Sequence, residues 1–295
     1  MEGKGKTVSL VLGSGGARGC AHIGVIRCLE EEGYAIHSIS GASMGAVIGG
    51  VYGLGKLDEF EQWMRAIRKR DIVSMLDISF SGGGLVRGDR IIDTLKELLG
   101  DGLIEEMSIR YTAVAADIAE EKEVWINTGP VFDAIRASMS LPLILTPHER
   151  DGVQLVDGGV LNPVPIAPTF HDDTDLTLAV SLGGEPVARE QPDERAEETP
   201  RTDESGLQEK IAGFIDSIRA SDATPEKPRG WSVLEVADRS FDAMQSTIAR
   251  QKLAAYPPDL LIEIARNQCG TMEFDRADEL IALGYQKARA LLARR

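Results

Sequence analysis

Twice within the first 55 residues, a short apolar run ends in a cluster of glycines and gives way to helical spacing. Thr7 to Leu12 leads into Gly13-Ser14-Gly15-Gly16-Ala17-Arg18-Gly19, after which Ile23, Val25, Ile26 and Leu29 mark a helix from Cys20 to Glu32. Tyr34 to Ser40 then leads into Gly41-Ala42-Ser43-Met44-Gly45, and small and apolar residues wind on from there. Strand, tight turn and helix repeated in this way permit few folds, because each helix must pack back onto a sheet.

The alternation persists along the chain. Helices are expected over 58–70 and 88–99, separated by the turn Ser81-Gly82-Gly83-Gly84, and over 131–138 ahead of Leu141-Pro142. Strands are expected at 112–117, 124–127, Leu155-Val156, 176–180 and 260–264, with further helices over 207–221, 232–253 and 274–294. The architecture this predicts is a three-layer α/β/α sandwich with a mostly parallel central sheet, built as a single domain over 1–295. One stretch breaks the pattern. Glu185 to Gly206 holds eight acidic and three basic residues and almost nothing apolar, so an acidic loop or disordered insertion is expected at about 185–230.

Charge narrows the functions available. With 32 Lys and Arg against 47 Asp and Glu, the net charge is −15, which repels phosphate backbones and argues against nucleic acid as a partner. Cys20, Cys28 and Cys269 are too few and too scattered for a disulfide framework, so a reducing cytoplasm is expected. The run from Val8 to Leu12 is too short for a signal-peptide core. Gly33 to Gly55 lacks Asp, Glu, Lys and Arg and is long enough to span a bilayer, but its seven glycines and His37 suit a strand, turn and helix better. Contact with a membrane is therefore expected to be peripheral at most.

Three clusters carry chemistry. Gly41 to Gly45 fits GxSxG at a strand-to-helix turn, where a strained serine projects its hydroxyl into a cleft; the ordinary alternative is a helix-capping serine beside packing glycines. The Gly13 to Gly19 cluster has Arg18 at the sixth position where a dinucleotide fold has glycine, and no Gly-Lys-Ser/Thr of a P-loop follows. That leaves an oxyanion hole made by the amides of Gly15, Gly16 and Ala17, or a plain turn. Asp157-Gly158-Gly159 puts an aspartate at a strand end just before the chain turns away. None of the four histidines has a local signature of a triad base, and no His/Asp/Glu spacing specifies a metal.

In order and spacing, these clusters resemble the patatin-like phospholipase family, in the group related to neuropathy target esterase. Arg136-Ala137-Ser138-Met139-Ser140-Leu141-Pro142, Val160 to Pro165 and Leu280 to Tyr285 are also similar to segments of that family. The resemblance implies a Ser-Asp dyad without histidine, acting on acyl esters of lipids with no cofactor. Ser43 would be the nucleophile, Asp157 the general base and acid, and the amides of Gly15, Gly16, Ala17 and Arg18 the oxyanion hole. Gly13, Gly19, Gly41, Gly45, Gly158 and Gly159 complete the motifs. Ser14 stands where many members have glycine. The Arg18 side chain is expected in a surface salt bridge, or steering a lipid phosphate. An acyl channel is expected among Met44, Val47, Leu85, Met139, Leu141, Leu143 and Ile144, under a cap formed between Lys56 and Leu99 and hinged at Gly82 to Gly84. Two other readings stay open: an esterase or thioesterase for soluble short-chain esters, and a non-catalytic protein that keeps the fold.

Overall fold

The structure is a computed structural model that describes residues 5–68, 86–187 and 233–294. The Gly82 to Gly84 hinge, Leu85, the helix expected over 207–221 and nearly all of the acidic insertion lie outside the described residues. The chain divides into two compact units, Met1–Val187 with Phe241–Arg295, and Ala188–Ser240. The residues of the site described below belong to the first.

Among the described residues, eight strands form one sheet: β1 (Thr7–Leu12), β2 (Ala35–Ala42), β3 (Arg110–Asp117), β4 (Lys122–Ile126), β5 (His148–Arg150), β6 (Val153–Asp157), β7 (Leu176–Gly184) and β8 (Leu260–Ala265). The helices are α1 (Cys20–Glu31), α2 (Met44–Gly53), α3 (Leu57–Ala66), α4 (Asp89–Leu99), α5 (Val131–Ser138), α6 (Val233–Ala255) and α7 (Ala277–Leu292). Strands β8, β7, β1, β2 and β3 run parallel, as alternation with helices requires. Strands β4 and β6 are antiparallel to β3, and β5 is antiparallel to β6, so the sheet is mixed. Connection length is the reason. β5 and β6 are joined by Asp151-Gly152 alone, with φ of 52° and 78°, a two-residue hairpin turn far too short for a crossover helix.

Strand β1 is buried on both faces, the mark of a sheet covered on two sides. Leu10 and Leu12 belong to the main core with α1 and α2, whereas Val11 packs with Val164, Ile166, Ala179 and Ala249 of α6. On the first side α7 closes over α1 at backbone contact. A Cβ on Gly24 would lie 1.9 Å from the Ile281 carbonyl oxygen, and one on Gly284 1.9 Å from that of Ala21. Only glycine fits there, which accounts for the glycine in the closing Leu280 to Tyr285 segment.

Strand β3 has three partners but only two edges. Ala113 and Val114 pair with both β2 and β4, so those two strands lie on opposite edges; Ala115 to Asp117 pair with both β4 and β6, so those two are opposed as well. Strands β2 and β6 therefore share one edge end to end, β2 leaving at Ala42 opposite Val114 and β6 ending at Asp157 opposite Ala115. The hand-over brings the ends of both strands to one point.

Candidate active site

Ser43 is the single residue between β2 and α2, and its φ of 55° and ψ of −124° lie outside the ordinary L-residue regions. Such a conformation costs on the order of 1–3 kcal/mol and persists only when its surroundings fix it. The Ser43 amide donates to the hydroxyl of Ser138 at 3.0 Å, and that hydroxyl donates to the Val114 carbonyl at 2.6 Å. On the other side the Ser43 carbonyl accepts from the amides of Ala46 and Val47. The turn also needs space. A Cβ on Gly45 would lie 2.0 Å from the Leu12 carbonyl oxygen, and one on Gly41 would strike the Gly45 backbone, so both motif glycines are required by close approach. The first amides of α2 and its dipole point toward the serine.

Asp157 has no solvent exposure. Its amide donates to the Ser140 carbonyl at 2.9 Å, and its Oδ1 accepts from the Gly159 amide at 2.7 Å. Among the described residues, Oδ2 makes no hydrogen bond of full geometry. Loss of hydration pushes the carboxyl up to about 7, while the nearby Ser43 hydroxyl and the Gly159 amide draw it partly back. Gly158 lies against the Val114 carbonyl at the hand-over itself. Among the described residues, no histidine hydrogen-bonds to Ser43 or Asp157. His22 is buried and neutral behind the glycine loop, its Nε2 donating to the Gly13 carbonyl at 2.8 Å, and His148 pairs with Asp133.

The glycine loop runs from β1 into a 3₁₀ turn, Gly16–Gly19. Its outer amides are committed: Gly13 to Val180, Ser14 to Pro163 and Ala17 to Thr271, at 3.0, 2.8 and 2.9 Å. The Ala17 amide is thus unavailable to an oxyanion in this structure. The amides of Gly15 and Gly16 stand at the start of the turn, where no intrahelical acceptor exists, and Gly16 lines a cavity shared with Ser43. Gly19 packs against the Met44 side chain. Arg18 departs from both readings of its side chain. It is 3% exposed, and its guanidinium bonds to the Gly15 and Arg266 carbonyls and to Asp242. It therefore reaches neither the surface nor a substrate phosphate.

The cavity has a volume of about 140 Å³ and an apolar wall. Of the expected channel residues, Met44, Val47, Met139, Leu141 and Ile144 line it. Leu143 does not: with φ of 69° it turns outward and is 64% exposed. The expected cap helices add Phe60, Trp63 and Met64 from α3 and Ile91 and Leu95 from α4, with Ile67 just beyond α3, and Leu145, Thr271, Met272 and Phe274 complete the wall.

A model of the patatin-like phospholipase family matches residues 10–170. The chain belongs to that family. It is 41% identical, over 97% of its length and 91% of theirs, to an uncharacterised NTE family protein of Mycobacterium tuberculosis. It is 27% identical over 98% of its length to a lysophospholipase of Emericella nidulans, of which it spans 18%. Among solved structures it is similar to VipD from Legionella pneumophila, with 15% identity, a TM-score of 0.46, and 98% of this chain and 67% of that one covered. As a patatin-like phospholipase it is a lipid hydrolase by family.

Sequence reasoning missed the roles of three residues that hold this patatin-like site. Ser138 fixes the strained Ser43 backbone, and the Ser140 carbonyl fixes that of Asp157. Arg136, buried at 4% exposure, donates to the Ser140 hydroxyl, the Arg87 and Thr146 carbonyls and Asp89, which ties α5, the 139–146 loop and the start of α4 together. The motif Arg136 to Pro142 was visible, but its function depends on partners dozens of residues away. The cavity stripe did have a signal. Phe60, Trp63, Met64 and Ile67 follow i, i+3, i+4, i+7, the spacing of one helix face.

Proposed function

We propose that this patatin-like phospholipase cleaves fatty-acyl esters of phospholipids or lysophospholipids through a Ser43 acyl-enzyme, with Asp157 as the general base. The observation that carries this reading is a strained serine that lines an apolar cavity and has a water-excluded carboxyl beside its hydroxyl. An aspartate at its ordinary pKa of about 3.9 is a poor base at neutral pH. Raised to about 7 by burial, Asp157 is matched to accept a serine proton and return it.

In the first step the Asp157 carboxylate takes the Ser43 proton as Oγ attacks the ester carbonyl. The oxyanion is met by the Gly15 and Gly16 amides, each donor being worth on the order of 3 kcal/mol. The protonated Asp157 then gives its proton to the departing alcohol or lysophospholipid. Water follows the same route to release the fatty acid, losing its proton to Asp157 and regenerating the Ser43 hydroxyl. The apolar cavity beside Ser43 suits an acyl chain, and the lysophospholipase name of the fungal relative supports the same substrate class.

Fluorophosphonate labelling tests the proposal: the wild type becomes modified at Ser43, and Ser43→Ala is not modified. A folded wild type that resists the reagent defeats the nucleophile assignment. Turnover of lysophosphatidylcholine, phosphatidylcholine and a short nitrophenyl ester then fixes the substrate class, and exclusive turnover of the short ester points instead to a soluble-ester esterase.

A further inference from the structure

Helix α6 touches the glycine loop at two points. Asp242 takes the Arg18 guanidinium, Nη2 to Oδ1 at 2.7 Å, while the Arg18 Nε donates to the Gly15 carbonyl at 3.1 Å and Nη1 to the Arg266 carbonyl at 2.5 Å. Three residues on, and so on the same face of the helix, the Gln245 amide Nε2 donates to the Ser14 hydroxyl at 3.1 Å. Gln245 and Ser14 are both buried. The same pair also sits on the Gly159 turn, where a Cβ would lie 2.2 Å from Gln245 Nε2 and 2.5 Å from Ser14 Oγ. Gly159 in turn donates to Asp157.

A loop this rich in glycine has unusual backbone freedom when unfixed, yet oxyanion donors act only when they are aimed before the charge develops. Gly15 and Gly16 lie between the two anchored residues, Ser14 and Arg18. We infer that Asp242 and Gln245 are positioning residues of the active site: through Arg18 and Ser14 they hold the Gly15 and Gly16 amides in place, and through Gly159 Gln245 also seats the turn that binds Asp157. Ser14 thereby gains a purpose. Its hydroxyl accepts from α6. The inference rests on the Ser43 and Asp157 reading above.

The test compares Gln245→Ala, Asp242→Asn and the double variant with wild type on a soluble nitrophenyl ester, alongside the rate of fluorophosphonate labelling and the thermal midpoint. For donors displaced by a fraction of an ångström to an ångström, kcat falls about 10- to 100-fold while KM stays within about twofold. The labelling rate falls in parallel. Met244→Ala, on the same helix but 57% exposed, retains wild-type values. Gln245→Glu keeps the Ser14 contact, because the Ser14 hydroxyl then donates to the new carboxylate, so it restores kcat at high pH. Its negative charge beside the Gly159 turn raises the midpoint of the pH profile. A glutamine that acts independently of its Ser14 contact predicts no recovery of kcat in Gln245→Glu at any pH. Where Asp242→Asn does not fold, Ser14→Gly removes one anchor alone and is expected to lower kcat in the same way. Wild-type kcat in a folded double variant, or a loss carried by KM, overturns the inference. An active wild type with unchanged variants refutes only the positioning role, whereas a wild type inert to both ester and fluorophosphonate refutes the catalytic reading beneath it.

Discussion

Asp157→Asn separates what burial of the carboxyl does for catalysis from what it does to stability. In the unfolded chain this carboxyl ionises near 3.8, and in the folded protein near 7. Between those values the folded state holds a proton that the unfolded state has lost, so stability falls as pH rises through the window. At about 1.36 kcal/mol per pH unit, the gap corresponds to about 4 kcal/mol, fully expressed above pH 7 and absent below about pH 4. Asparagine keeps the shape, retains an acceptor for the Gly159 amide and never ionises. The variant is expected to match wild type at pH 4 and to exceed it by up to about 4 kcal/mol at pH 8, while kcat drops by several orders of magnitude. Guanidinium melts at half-unit pH steps read the difference directly, since all other titrating groups are common to both proteins. A variant less stable than wild type at pH 8, or a difference that does not change with pH, refutes the account of Asp157 as a dry, destabilising base.

Four further outcomes follow from the geometry. Wild-type kcat on a soluble ester rises with pH through a midpoint near 7, the value to which burial lifts Asp157, and a midpoint near 4 in a stopped-flow pH profile contradicts it. His22 titrates in the opposite sense: burial lowers it to about 4, so stability is lost as pH falls from about 6.5 toward 4, and His22→Gln flattens that acid limb in chemical melts. Ser138→Ala leaves the Ser43 amide without its buried acceptor, costing about 1–3 kcal/mol in stability and lowering kcat more than KM. Val47→Phe fills part of the cavity, so turnover of long-chain lysophospholipids falls while that of an acetyl ester holds, as a chain-length series monitors.

The sequence by itself determined the local pieces. Helix α5 falls over Val131–Ser138 as spaced, β1 over Thr7–Leu12, and most other boundaries shift by one to three residues, because apolar periodicity and glycine turns act on neighbours along the chain. The order of Ser43, the glycine loop and Asp157 was legible for the same reason. The tertiary structure alone decided that β2 and β6 share one edge of β3, since nothing in either strand encodes which edge a partner leaves free. It also decided the fate of two side chains that composition misjudges: Arg18 is withdrawn from solvent by Asp242 and two carbonyls, and Leu143 is turned outward on a left-handed backbone. The base strength of Asp157 belongs to the same class. A carboxyl acquires a pKa near 7 only by losing water, and how much water it loses is set by groups packed around it from Val114, Ser138 to Ser140 and Gly158 to Gly159, which meet only once the sheet has formed.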